Sequence, residues 1–281
     1  MVLSSESAMP ERPTSDRDLD EVIALGAVRE QLPALECHRA THLGSGWAVD
    51  VYLLDDRFVA RFPRNADLAR WVDWDQAMLG LVTSSLGSVF SVPKVVGRGW
   101  AGAYFPYDFL VCEFVPGVGA DHITASVSDQ LVTDLGRALS RIHSVSVADA
   151  LEAGLRQDDN DYYAGPLCFL HGDFSADNII IDPASGRLVG VIDWGNAAIG
   201  DPALDFMWLV LWRGWRFMHT VLDAYQLPID DGFLDRVRLH AQIRALEWLT
   251  DSVKRGLDTE PHLRWLRNAF SLDPASSRGT Q

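Results

Sequence analysis

The chain has 281 residues, 48% of them apolar, and 24 Lys and Arg against 39 Asp and Glu leave a formal charge of -15 at pH 7. That length suits one large domain or two modest lobes, and the charge repels nucleic-acid phosphates and anionic membrane surfaces while favouring a cationic partner. Cys37, Cys112 and Cys168 are widely spaced and form no Cys-x-x-Cys pair, which excludes a disulfide framework and a zinc knuckle and fits a reducing cytoplasm. Residues 1–20 lack the basic and apolar parts of a secretory signal and read as a flexible tail. The strongest apolar run, Phe206 to Trp212, is far shorter than the roughly 20 residues that cross a bilayer.

Past the tail, Val22, Ile23, Leu25, Val28 and Leu32 recur at helical spacing, predicting a helix over 18–35 that Pro33 limits. Alternation from Trp47 to Leu54 and from Phe58 to Phe62, with Asp55-Asp56 between, predicts a β-hairpin, and Gly44-Ser45-Gly46 lies just ahead of it. A helix over 66–81 and a strand over 109–115 follow, closed by Pro116-Gly117 as a hinge. Ser126 with Asp129 is read as a capping box for a helix whose Leu131, Leu135, Leu139 and Ile142 share one face and which ends near His143. The second half is mostly helical, with helices expected over 203–211, 231–254 and 262–270 before a frayed end. One exception is a second hairpin, Ile179 to Ile181 and Leu188 to Ile192, around the turn-forming run from Asp182 to Gly186. We therefore expect an α+β chain in two lobes: tail 1–20, a β-rich amino-terminal lobe 21–112, a hinge 113–118, and a larger helical lobe 119–281. A cleft between lobes is the natural ligand site.

The informative string runs from His171-Gly172-Asp173 to Asn178, directly before the second hairpin, with Asp193 directly after it. The ends of an antiparallel pair lie beside each other, so Asn178 and Asp193 become neighbours. Their oxygens suit Mg²⁺, which takes a few protein ligands and completes its shell with phosphates and water. Asp173, on the loop leading in, is left to accept the proton of a substrate hydroxyl, the division of labour that phosphoryl transfer needs. His171 with Cys168 is too small a set for zinc, so His171 is read as a brace for the loop. At the mouth of the first hairpin, Gly44, Ser45 and Gly46 can cover a triphosphate with backbone N–H groups, although glycines before a strand are more often ordinary turns.

These residues resemble the aminoglycoside phosphotransferase family, a branch of the protein-kinase-like fold that also holds choline, homoserine and macrolide kinases. The resemblance runs from Trp47 through Arg61, the 113–117 segment and the helix ending at His143 to Asp205. It implies Asp173 as catalytic base, Asn178 and Asp193 as magnesium ligands, and ATP or GTP as co-substrate. It also implies Asp205 as the helix-borne acid that holds the catalytic loop. In the amino-terminal lobe it implies Arg61, in place of the family's strand lysine, as the contact to the α- and β-phosphates, paired with Asp75. Glu113 and Val115 would meet the nucleotide base through their backbone. For a cationic acceptor the candidate contacts are Asp158, Asp159, Asp161 and Glu247, against the plainer alternative of a solvated acidic loop. Trp208, Trp212, Trp215 and Trp248 are read as core before pocket lining. The chain also resembles the branch acting on cyclic peptide antibiotics of the capreomycin and viomycin type. Metabolic kinases and a non-catalytic nucleotide-binding module are the rival readings.

Overall fold

The computed structural model describes residues 13–123, 127–157 and 165–273. They fall into two compact units, parted between Pro116 and Gly117.

The first unit begins with α1 (Glu21–Gln31), started by the Asp20 carboxylate, which accepts from the Ile23 N–H. Then come β1 (Ala40–Ser45), β2 (Val49–Leu54), β3 (Phe58–Pro63), the short α2 (Ala66–Ala69), α3 (Val72–Leu86), β4 (Val95–Gly99) and β5 (Phe109–Glu113). The strands form one antiparallel sheet in the order β1-β2-β3-β5-β4. Alternation in β2 buries Asp50, Tyr52 and Leu54, and Phe62 from β3 packs its ring on Phe105 and Phe109 against Ala24, Ala27 and Val28 of α1. The expected hairpin is β2–β3. The expected helix over 66–81 is broken at Arg70-Trp71, where α2 ends and α3 starts. Gly44 and Ser45 belong to β1, opposite Val51 and Asp50, rather than to a loop ahead of the hairpin.

The second unit holds β6 (Val118–Gly119), α4 (Asp129–His143), α5 (Val147–Glu152), β7 (Cys168–Leu170), β8 (Ile179–Ile181), β9 (Leu188–Val191), β10 (Ala198–Gly200), α6 (Ala203–Arg213), α7 (Trp215–Leu222), α8 (Phe233–Arg255) and α9 (Glu260–Phe270). The cap of α4 differs from the expected capping box: Ser128 accepts from the Leu131 N–H, and Ser126 lies outside the described residues. The apolar face of α4 is as read, with Leu131, Leu135, Leu139 and Ile142 all buried. From Phe206 to Leu211, α6 is buried on every side, as a helix packed between other helices must be. It packs against α7, α8 and α9.

Two small sheets interrupt the helices, β6-β8-β9 and β10-β7. The hairpin β8–β9 is secured at its turn, where the Asp182 carboxylate accepts from the N–H groups of Ala184 and Ser185 and Gly186 supplies a left-handed residue. Among the described residues no helix is long and apolar enough to cross a membrane.

Candidate active site

The loop from His171 to Asn178 leaves β7 and enters β8, and nearly every residue in it has an assigned partner. Gly172 has φ +79, and a Cβ there would run into the Asn196 carbonyl, so this position requires glycine. The buried His171 ring lies between two backbone groups: Nε2 is 2.9 Å from the Ile192 carbonyl, and Nδ1 accepts the Asp173 N–H at 3.2 Å. A carbonyl only accepts, so Nε2 carries the hydrogen and the ring is neutral. Burial, the largest influence, agrees, holding His171 below the usual imidazole range. Phe174, fully buried, packs edge-on against His171 and anchors the turn.

Asn178 closes the loop. Its Nδ2 donates to the Asp173 carbonyl at 3.0 Å and to Ser175 Oγ at 3.1 Å, so the acceptor end of the amide points away from those bonds. Its own carbonyl accepts the Ile192 N–H at 2.9 Å. Ile192 is thus tied to the loop through both backbone groups, once to Asn178 and once to His171, and Asp193 follows it. Asp193 stands in the left-handed region, φ 60 and ψ 68, as the chain turns into a short 3-10 segment at Trp194–Asn196. The hairpin therefore carries Asp193 back to the loop that holds Asp173 and Asn178.

Burial pushes the Asp173 carboxyl up to about 7, helped by the charges of Asp177 and then Asp193, while hydrogen bonding from Ser175 and Asn178 opposes the rise. Asp177 and Ser175 were absent from the candidate set read from sequence. Their signal is position alone, inside the Asp173-to-Asn178 loop.

Asp205, in the first turn of α6, holds the loop from below. Its carboxylate accepts the His171 N–H at 2.9 Å and the Gly172 N–H at 2.8 Å, and His143 Nε2 lies 3.1 Å away. Burial alone would raise this carboxyl, but hydrogen bonds from the His143 side chain and the His171 backbone hold it below the usual range. Trp208, one turn further along α6, reaches the Gly172 carbonyl through its indole N–H at 3.4 Å.

In the first unit, Arg61 sits mid-strand in β3, opposite Val51 and Leu110, with Nη2 3.4 Å from Asp75 Oδ2 on α3. Gly46 donates its N–H to the Val49 carbonyl at 2.8 Å, closing the β1–β2 turn, and Ser45 Oγ lies 3.3 Å from His42 Nε2. Glu113 ends β5 with its N–H on the Lys94 carbonyl and its carboxylate 3.4 Å from Lys94 Nζ, and Val115 is buried. Of the acceptor candidates, Asp158, Asp159 and Asp161 lie outside the described residues. Glu247, on α8, is 3.5 Å from Arg244.

Among the described residues no group of three or more His, Cys, Asp or Glu side chains is arranged to hold a metal ion. The amide oxygen of Asn178 and the carboxylate of Asp193 are instead a pair of hard donors. That set fits magnesium, whose remaining positions go to phosphates and water, and does not fit a protein-only cage.

Comparison with solved structures defines the class: the fold is that of the kinase-like antibiotic phosphotransferases. The GDP complex of wild-type aminoglycoside 2'-phosphotransferase-IIIa superposes with a TM-score of 0.72 at 20% identity, covering 89% of this chain and 98% of that one. Macrolide 2'-phosphotransferase type I gives 0.63 at 18% identity, over 90% of this chain and 100% of that one. Residues 39–164 and 146–246 match the phosphotransferase enzyme family, and the chain belongs to it. It is a kinase-type transferase. A Bacillus subtilis (strain 168) protein, YcbJ, is 42% identical over 50 residues, 18% of this chain and 16% of that protein's length.

Proposed function

We propose that this phosphotransferase moves the γ-phosphate of ATP or GTP onto a hydroxyl of a small cationic antibiotic, an aminoglycoside or a cyclic peptide of the capreomycin and viomycin type, giving resistance in the cytoplasm. The observation that carries the reading is the half-buried Asp173, on a loop that Asn178 closes and that Ile192, the residue before Asp193, joins by hydrogen bonds through both of its backbone groups.

In this mechanism Asp173 takes the hydroxyl proton as the acceptor oxygen bonds to the γ-phosphorus. The bond to the β–γ bridging oxygen breaks, and the nucleoside diphosphate leaves. Asn178 through its amide oxygen and Asp193 through its carboxylate would hold Mg²⁺, which when bound offsets charge on the phosphate oxygens. Asp205 keeps the loop's backbone in place, and His171 braces it from the side. Arg61, oriented by Asp75, contacts the α- and β-phosphates, and its forked donors suit those oxygens. Backbone groups of Gly44, Ser45 and Gly46 cover the triphosphate, and those of Glu113 and Val115 meet the base.

The net charge of -15 favours a cationic acceptor. So do the fold neighbours, which include a GDP and kanamycin complex and a streptomycin–ATP complex of aminoglycoside phosphotransferases. Asp158, Asp159, Asp161 and Glu247 are the carboxylates proposed to hold its amino groups, Glu247 only by exchanging Arg244 for substrate. Asn178 disfavours the macrolide branch, which tends to carry His at that place. A metabolic kinase of choline, homoserine or a sugar is the second reading.

Mass spectrometry of an antibiotic and metabolite panel incubated with the protein, magnesium and ATP or GTP tests both. The expected result is a gain of one phosphate on an aminoglycoside or cyclic peptide, lost on adding a magnesium chelator. Phosphate on a metabolite alone would transfer the proposal to the second reading, and transfer that survives the chelator would remove Asn178 and Asp193 as ligands.

A further inference from the structure

One face of α4 receives the turn that follows α7. Gly136, Ser140 and His143 lie on it at helical spacing. A Cβ on Gly136 would collide with the Val221 carbonyl and the Ala224 side chain, so only hydrogen fits there. Ser140 Oγ accepts the Gln226 N–H at 2.8 Å while donating to the Gly136 carbonyl at 2.8 Å. Between those two anchors the Tyr225 hydroxyl comes to 2.8 Å from His143 Nδ1. The other nitrogen of that ring, Nε2, lies 3.1 Å from Asp205 Oδ2, and the His143 and Asp205 side chains are both fully buried.

A carboxylate only accepts, so His143 Nε2 carries a hydrogen. A phenol can donate or accept; where Tyr225 donates to the Nδ1 lone pair, the ring is held as the neutral Nε2–H tautomer. Asp205 in turn accepts from the N–H groups of His171 and Gly172, next to Asp173. Without the phenol, Nδ1 becomes a buried acceptor with no donor, and the ring is free to exchange tautomers or take up a second proton. The first alternative turns a lone pair toward the Asp205 carboxylate and loosens its grip on the loop.

We propose that Tyr225 is a positioning residue for phosphoryl transfer: docked on α4 through Gly136 and Ser140, it fixes the tautomer of His143 so that Asp205 holds the loop that presents Asp173. The inference rests on the reading of Asp173 as the base. Tyr225→Phe is the clean probe, because the ring keeps its edge-on packing against Phe206, 5.1 Å between centroids, and loses only the hydroxyl.

Nitrogen-15 NMR of the histidine rings, with His143 assigned by its loss in His143→Gln, should show hydrogen at Nε2 alone in the parent protein and a displaced Nδ1 signal in Tyr225→Phe. Hydrogen exchange at the His171 and Gly172 amides should quicken about tenfold in that variant. Turnover of magnesium-ATP, read as phosphate release to water, should fall roughly tenfold with the KM for ATP within about twofold. In His143→Gln the side-chain amide supplies the donor to Asp205 without help, so adding Tyr225→Phe should cost less than about twofold more. A doubly protonated His143 ring in the parent, unchanged amide exchange, or the same cost in both backgrounds overturns the proposal. Asp173→Asn run alongside separates the two readings. If it still turns over, the base assignment falls, whereas if it is inactive while Tyr225→Phe keeps full turnover, only the positioning role falls.

Discussion

The loop at residues 171–178 and the strand carrying Arg61 hold two shares of the proposed chemistry and are built on opposite plans. In the loop the backbone itself is the device, since Asp205, Ile192, Asn196 and Asn178 each touch a main-chain group of residues 171–178. In the strand the backbone belongs to a regular ladder, β3 between β2 and β5, that any strand-forming residue would satisfy, and only the side chain of Arg61 carries a proposed function. The difference teaches that substitutions in the loop should propagate through geometry, whereas those in the ladder should subtract one contact.

The sharpest break of that comparison is Asp173→Asn. Turnover should drop by about 10²- to 10⁴-fold with nucleotide binding kept, the scale for loss of a general base. A loss smaller than that of an Arg61 variant would reverse the ranking of the two regions. Next comes Asp201, at the entry to α6, 2.7 Å from Arg236 Nε and accepting the Ala203 N–H. Burial pushes its carboxyl up, but hydrogen bonds from His240, Arg236 and Ala203 outweigh it and hold the group below the usual range.

A carboxyl with a depressed folded pKa stabilises fully above its unfolded value of about 4, and that stability is lost as pH falls through the folded value. Asp201→Asn should therefore lower urea stability by roughly 3 kcal/mol at pH 7, as breaking a buried pair does, and flatten the acid limb of the stability profile. An unchanged acid limb would remove Asp201 from the account. The smaller expected effect is at Arg61: Arg61→Ala should weaken ATP or GTP binding about tenfold by calorimetry, near 1.4 kcal/mol, with the unfolding midpoint little moved. A large stability loss instead would mean that the ladder depends on its side chain as the loop does.

How much was legible follows the same division. The hairpin at 179–192 was readable because three consecutive isoleucines, a turn-forming run and a second apolar strand leave few alternatives, and it brings Asp193 back beside Asn178. The sheet of the first unit was only half readable. Val95–Gly99 has two glycines and an arginine in five residues, and the β1–β2 ladder shifts register between His42 and Gly44, so neither β1 nor β4 shows clean alternation. Helix α7, Trp215–Leu222, follows α6 after a single glycine and merges with its apolar pattern. His143 was read only as the end of a helix, because its partners Asp205 and Tyr225 lie 62 and 82 residues away and no local period points to them.

Asp193 combines two demands that conflict. Its left-handed backbone, φ 60, suits glycine, and an L-residue there costs on the order of 1 kcal/mol. Asp193→Gly should thus raise the melting temperature while abolishing magnesium-dependent transfer, a trade of durability against activity at a single position. Durability alone would favour glycine at this corner, and the proposed hold on magnesium is what the acid would supply in exchange.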